Sequence, residues 1–247
     1  MISYPKIENL FTRDETTHKL NMGDFRLPQF EQIASWLITE KINGMNIRLV
    51  LDGNHEVFIR GRTDAAMLPK KFTCEALSHF PLVEDFRVTM IKALESISQP
   101  DDGKRAMIVF GEGYGPGIQK GGGLYAPTKR LRIFDVVTFR PQLRESLGPT
   151  TPSWDYGRGL WRTWEDVRMV ADVLGLDTVP VVEEKGTIPQ IIEYVYRAPR
   201  SDTSVLDGAG ELASEGVVAR TDPYLYDFRG DRVMFKLKRK DLLALAN

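Results

Sequence analysis

Residues 45–60, MNIRLVLDGNHEVFIR, place two β-branched, alternating runs, 45–51 and 55–60, on either side of Asp52, Gly53 and Asn54. Alternation at period two around a glycine-bearing turn predicts a hairpin, so this chain must build an antiparallel sheet. Further strand-like runs cover 106–111, 131–139, 178–182, 215–220 and 232–238. Helices are expected over 71–79, 83–98, 164–174 and 188–197, with Thr163 and Asp166 spaced as a capping box and Pro189 suited to a first turn. Strands dominate the second half without alternating regularly with helices, which predicts an α+β fold and not a doubly wound one. The Gly121, Gly122, Gly123 tract and the Pro-, Gly- and Ser-rich stretch 141–159 read as surface loops within a single domain, 1–247.

An apolar share of 42% supplies a substantial core, and 33 Lys+Arg against 34 Asp+Glu leave a formal charge of -1. That balance excludes a disordered chain, and it excludes a protein that coats nucleic acid by bulk charge. Any basic site must be local. Cys74 stands alone, so no internal disulfide or multi-cysteine zinc site can form, and His18, His55 and His79 lack metal-ligand spacing. A metal would therefore sit on carboxylates and phosphates. No run of about 20 apolar residues occurs and the N-terminus carries acids, so a soluble intracellular protein without a membrane partner is expected.

The most informative segment is ITEKINGMNIRLV, residues 38–50, where Lys41 falls between a strand-forming run and a glycine turn. A lysine before a turn is usually a solvated surface residue, and only context lifts it above that. The context is an ordered series of charged residues at the edges of apolar strands: FIRGRTD (58–64), VFGEGYGPGIQKGG (109–122), RIFDVV (132–137), SEGVVAR (214–220) and MFKLK (234–238). Lys236 and Lys238 lie two apart on a predicted strand and so share one face. From Arg229 to Lys240 there are six basic residues and one acid, Asp231, a local +5 suited to phosphates.

Together these segments resemble the covalent nucleotidyltransferase superfamily of DNA ligases, RNA ligases and mRNA-capping guanylyltransferases. Lys41 to Gly44 matches its Lys-x-x-Gly nucleophile motif; Gly111 with Glu112, Phe134 with Asp135, Glu215 with Gly216, and Lys236 with Lys238 match its later elements. TEKINGMN and FGEGYGPGIQK are most similar to the phage RNA ligases that seal nicks in double-stranded RNA. Asn43 and Met45 depart from that pattern, where relatives carry Asp or His and Thr or Ser. Only nine residues follow Lys238, whereas family ligases carry a further OB or helical domain, so a protein partner replacing that domain is expected.

The resemblance implies an ATP-grasp-like adenylyltransferase domain of two antiparallel sheets with flanking helices. It implies an ATP-dependent RNA ligase of a phage-infected or bacterial cytoplasm, acting in RNA repair with Mg²⁺ or Mn²⁺ on RNA bearing 3′-hydroxyl and 5′-phosphate ends, as in a nicked duplex. A DNA ligase, a capping-type enzyme and a non-sealing nucleotide- or RNA-binding module are the alternatives. Lys41 would attack the α-phosphate of ATP, with Lys236 and Lys238 stabilising charge on the phosphates. Only about 0.04% of an ordinary lysine is neutral at pH 7, and nearby cations would favour the neutral amine. Glu40 would accept from the adenine amine, Glu112 would hold the ribose, and Glu215 with Glu112 would place the metal. Phe134 either stacks on adenine or belongs to the core. Asn46 would serve the nick, and Arg62 a phosphate or the 3′ end, with Arg48 and Arg60 competing for that role. Lys120 either meets phosphate or marks a flexible connection.

Overall fold

The computed structural model of the protein describes residues 3–97, 105–140, 159–197, 199–210 and 212–244. The stretch 141–158, expected to be a loop, and the end of the helix expected over 83–98 lie outside them. In chain order the first elements are β1 (Glu8–Asn9), β2 (Phe11–Arg13), β3 (Leu20–Phe25), α1 (Gln29–Gln32), β4 (Trp36–Glu40), β5 (Met45–Leu51) and β6 (Val57–Arg60). There follow α2 (Phe72–Ala76), α3 (Val83–Ser96), β7 (Ala106–Tyr114), β8 (Arg130–Phe139), β9 (Leu160–Trp161), α4 (Trp164–Val173) and β10 (Asp177–Thr178). The last are β11 (Val181–Gly186), α5 (Ile188–Arg197), α6 (Asp202–Leu206), β12 (Gly216–Arg220), β13 (Met234–Lys238) and α7 (Arg239–Leu243).

The mixed α+β class holds, but the expectation of two antiparallel sheets is corrected: the described strands form three sheets, and both large ones are mixed. β1 runs parallel to β13, and β10 parallel to β8. Short edge strands cause this, because a two-residue strand such as β1 or β10 carries too little periodicity to be read from sequence.

The chain divides into two compact units, one of residues 1–4 and 44–178, the other of residues 5–43 and 179–247. The first holds the sheet ordered β10-β8-β7-β5-β6, with β9 on β8. The predicted hairpin, β5 and β6, forms one end of that sheet, where Leu49 faces Ile59 and Asp52 Oδ1 accepts from the backbone of Asn54 and Glu56. Interior strand β7, which begins Ala-Met-Ile-Val-Phe, pairs antiparallel with β5 and β8 and is buried on both faces. In α4 the Thr163 hydroxyl accepts from the Asp166 amide, and Trp164, Val167, Val170 and Ala171 fill its apolar stripe. The helix expected over 71–79 forms only at Phe72–Ala76, entered from Lys71 at φ 62.

The second unit holds the sheet β1-β13-β12-β4-β11 and the ribbon β2-β3. Its core gathers Leu10, Phe30, Trp36, Ile38, Ile191, Val217, Phe235 and Leu237, with the Trp36 and Phe235 rings 4.7 Å apart near perpendicular. The strand expected over 178–182 is two strands, β10 and β11, belonging to different sheets. Pro180 lies between them and has no N–H to continue a ladder. No described helix is long and apolar enough to cross a membrane.

Candidate functional site

Strand β4 is buried along its whole length between β12 and β11, so the residue leaving its C-terminal end starts from a fixed point. That residue is Lys41. Its backbone N–H donates to Gly216 O at 3.0 Å, and its Nζ lies 2.8 Å from Glu215 Oε2 and 3.2 Å from Ile42 O. Lys238 Nζ lies 2.8 Å from the other oxygen, Oε1, so one carboxylate bridges two ammonium groups. Burial disfavours the Glu215 carboxylate, but the Lys41 charge and the hydrogen bonds from both lysines outweigh that and hold its pKa below the ordinary value.

The antiparallel register sets Gly216 opposite Lys238 and Val218 opposite Lys236. Phe235 and Leu237 enter the core while Lys236 and Lys238 stand on the other face, as their spacing predicts. Lys236 has its pKa depressed first by burial, then by the positive charges of Lys238 and Lys41. Gly216 sits at φ +148, and a Cβ there would lie 2.1 Å from Leu237 O, so only glycine lets the two strands meet beside Glu215. Ser214 Oγ donates to Gly216 O and accepts from Gly216 N.

Glu40 is 2% exposed and its carboxylate is occupied within the unit: Ser201 Oγ donates to Oε1, and Thr203 donates through N and Oγ1 to Oε2 at 2.9 and 2.8 Å. Ser201 also caps α6. Both partners were missed from sequence, although Ser-Asp-Thr-Ser before an apolar pair is a legible cap signal. Tyr194, in the same region, has its pKa pushed up to about 12 by burial and by the charges of Asp202 and Glu40.

The first unit carries the other expected residues. Gly44 N donates to Glu112 Oε1 at 3.0 Å, and a Cβ on Gly44 would lie 2.2 Å from Gly113 O. The glycine three residues after Lys41 is thus required by close approach to β7. Asn46 stands opposite Glu112 in the ladder, and its Oδ1 is buried without a hydrogen-bond partner. Such an orphaned acceptor is costly unless a ligand donates to it. Phe134 occupies a β-bulge, since Phe110 pairs with Asp135 while Gly111 pairs with Ile133. It is half-buried, with the Tyr4 ring edge-on at 5.0 Å, while the Tyr4 hydroxyl donates to Asp135.

Of the competing arginines, Arg62 is exposed, and Arg60 lies over the Phe58 ring. Arg48 is 1% exposed, donating from Nε to Gly61 O at 2.8 Å and from Nη2 to Asp64 at 2.7 Å, so it pins the turn that presents Arg62. A charge at an inward position of an apolar strand was the available signal. Lys120 is exposed in a loop whose Ile118 is buried and whose Gly122–Leu124 stretch forms a 3₁₀ turn. Among the described residues no three His, Cys, Asp or Glu side chains group to hold a metal ion.

The family model described as RNA ligase matches residues 34–238. A search among curated proteins finds no match. Among solved structures the chain is similar to the RNA ligase of Naegleria gruberi. A variant with ATP and Mn gives TM-score 0.57 at 16% identity over 99% of this chain and 58% of that one. A variant with AMP and Mn gives 0.56 at 17% over 99% and 58%, and the form with pyrophosphate 0.56 at 14% over 98% and 63%. The chain therefore spans 58% to 63% of the length of those ligases, and at such identities the likeness is one of fold.

Proposed function

The chain belongs to the RNA ligase family, and from that membership we propose that it is an ATP-dependent RNA ligase acting through a covalent lysyl-AMP. Lys41 Nζ attacks the α-phosphate of ATP, forming a phosphoramidate and releasing pyrophosphate. The AMP then passes to an RNA 5′-phosphate, freeing the lysine, and a 3′-hydroxyl displaces AMP to close the phosphodiester. The substrate proposed is a nicked RNA duplex, on the strength of the Asn46 context and the GPGIQK segment.

The observation that carries this reading is the carboxylate of Glu215 shared between Lys41 and Lys238. Only an unprotonated amine attacks, so Lys41 must give up its charge. Lys238 then remains as counter-ion on Glu215, and the buried carboxylate is not stranded. Lys236, already burdened by two like charges, gains when a triphosphate arrives. The orphaned Asn46 Oδ1 in the first unit supports a ligand contact at that residue.

Two of the Naegleria structures described above hold Mn, one with ATP and one with AMP. A hard divalent ion fits the carboxylates of the described residues, which form no cluster of three, because phosphate oxygens and water complete its shell. Glu215 in the second unit and Glu112 in the first are each proposed as a carboxylate that could meet such an ion, which would neutralise charge on the phosphates.

The test is incubation of the protein with ATP labelled at the α-phosphate and a divalent cation, followed by a denaturing gel. Label stays on the wild-type chain and is lost in Lys41→Ala; an unlabelled wild type overturns the reading.

A further inference from the structure

The connection from β12 to β13, Thr221–Val233, ends in a turn that serves none of the contacts described above. Asp227 builds it: Oδ1 accepts from the backbone N–H of Arg229 and of Asp231, both at 2.9 Å, while Asp227 N donates to Asp231 O and Gly230 N to Asp227 O. The stem is tied by Val233 N to Leu225 O at 2.8 Å and Leu225 N to Thr221 Oγ1 at 2.7 Å. This rigid frame presents Phe228 at 89% exposure, with Tyr226 and Leu225 about half exposed beside it. The Arg229 guanidinium lies 5.1 Å from the Phe228 ring centre, and Arg232 lies 4.7 Å from that of Tyr224.

An exposed phenyl ring held out by a hydrogen-bonded turn loses little entropy when a flat partner settles on its open face. The Arg229 guanidinium over one face of the ring adds positive charge beside a partner that settles on the other. The same strand continues into the basic run that ends at Lys240. Resting on the reading of the chain as an RNA ligase, we infer that Phe228 and Arg229 form a stacking finger for an unpaired base of the RNA substrate. Four strand steps separate Gly216 from Arg220, about 13 Å of rise, so the finger meets RNA away from the joining chemistry.

The experiment measures binding of a fluorescein-labelled nicked RNA duplex bearing a single-stranded extension, by anisotropy, to the full chain. Phe228→Ala is expected to weaken binding about fivefold or more, the lower range for one stacked base. Phe228→Trp is expected to retain wild-type affinity, and both variants should melt as the wild type does. Removing the extension is expected to erase the difference between Phe228→Ala and wild type. Equal affinity of Phe228→Ala and wild type on the extended duplex overturns the finger, as does a wild-type dimer that Phe228→Ala dissolves. A wild type that fails to take label from ATP overturns the ligase reading instead, so the two failures are distinguishable.

Discussion

Thr203 donates twice, through its amide and its hydroxyl, to one carboxylate oxygen of Glu40 across 163 residues of chain. The pair ties the end of β4, where Lys41 emerges, to the first turn of α6. Glu40 is therefore placed to fix the end of β4, the strand that Lys41 leaves. Hydrogen bonds to charged groups contribute roughly 1.5–3 kcal/mol, so Thr203→Val, which keeps the amide bond and removes the hydroxyl, should cost about that much. Urea unfolding of the two proteins checks it, and an unchanged midpoint would contradict it.

Glu215 gives a pH dependence of definite sign. Its pKa in the fold is lower than in the unfolded chain, so its contribution is fully present above the ordinary value of 4.5 and is lost as pH falls through the lower folded value. Glu215→Gln removes that contribution and leaves Lys41 and Lys238 without their shared counter-ion. The variant should melt below the wild type at pH 7, and the gap should close as both are acidified. A gap independent of pH would rule out the ionic account.

For Lys236 the sign is reversed. A lysine whose pKa is depressed in the fold opposes folding while it is charged, and the opposition fades as pH rises from the folded pKa toward 10.5. Lys236→Met keeps the stem and discards the charge. Melting should rise at pH 7, the gain should shrink above pH 10, and transfer of AMP to Lys41 should fall by at least tenfold, roughly the loss of one electrostatic stabiliser. Higher stability together with lower activity is the expected signature of a charge kept for phosphate; a variant that melts lower would contradict this.

How far these groups could be read from the chain depends on what holds them. The Lys41-to-Gly44 spacing, the hairpin around Asp52 and the alternation of Lys236 and Lys238 are local, so the pattern of residues carried them. The partners of Glu40 lie more than 160 residues away, and the carboxylate of Glu215 meets Lys41 across 174, distances over which periodicity says nothing. Tyr4 against Phe134 is of the same kind, an N-terminal ring on a bulge that the alternation of LRIFDVV hides. Strand 178–182 was misread because its β-branched residues promise a strand while Pro180 breaks it into two sheets.

Arg48, on β5, and Arg62, on the turn that Arg48 pins, differ sharply in burial. Arg48 is buried and makes a fork, one arm on Gly61 O and one on Asp64, and its hydrogen bond holds the Asp64 carboxyl below its usual range. Lysine has one ammonium and cannot reproduce that planar fork. Arg48→Lys should therefore destabilise the protein by about 1–3 kcal/mol, since a buried donor or acceptor loses its partner. Arg62 is exposed on the same turn, so Arg62→Ala should shift stability by no more than about 0.5 kcal/mol. Its cost should appear in RNA sealing. Should Arg62→Ala seal as well as wild type while Arg48→Lys remains stable and fails, the phosphate contact belongs to Arg48, and the turn is not the presenting element assigned to it.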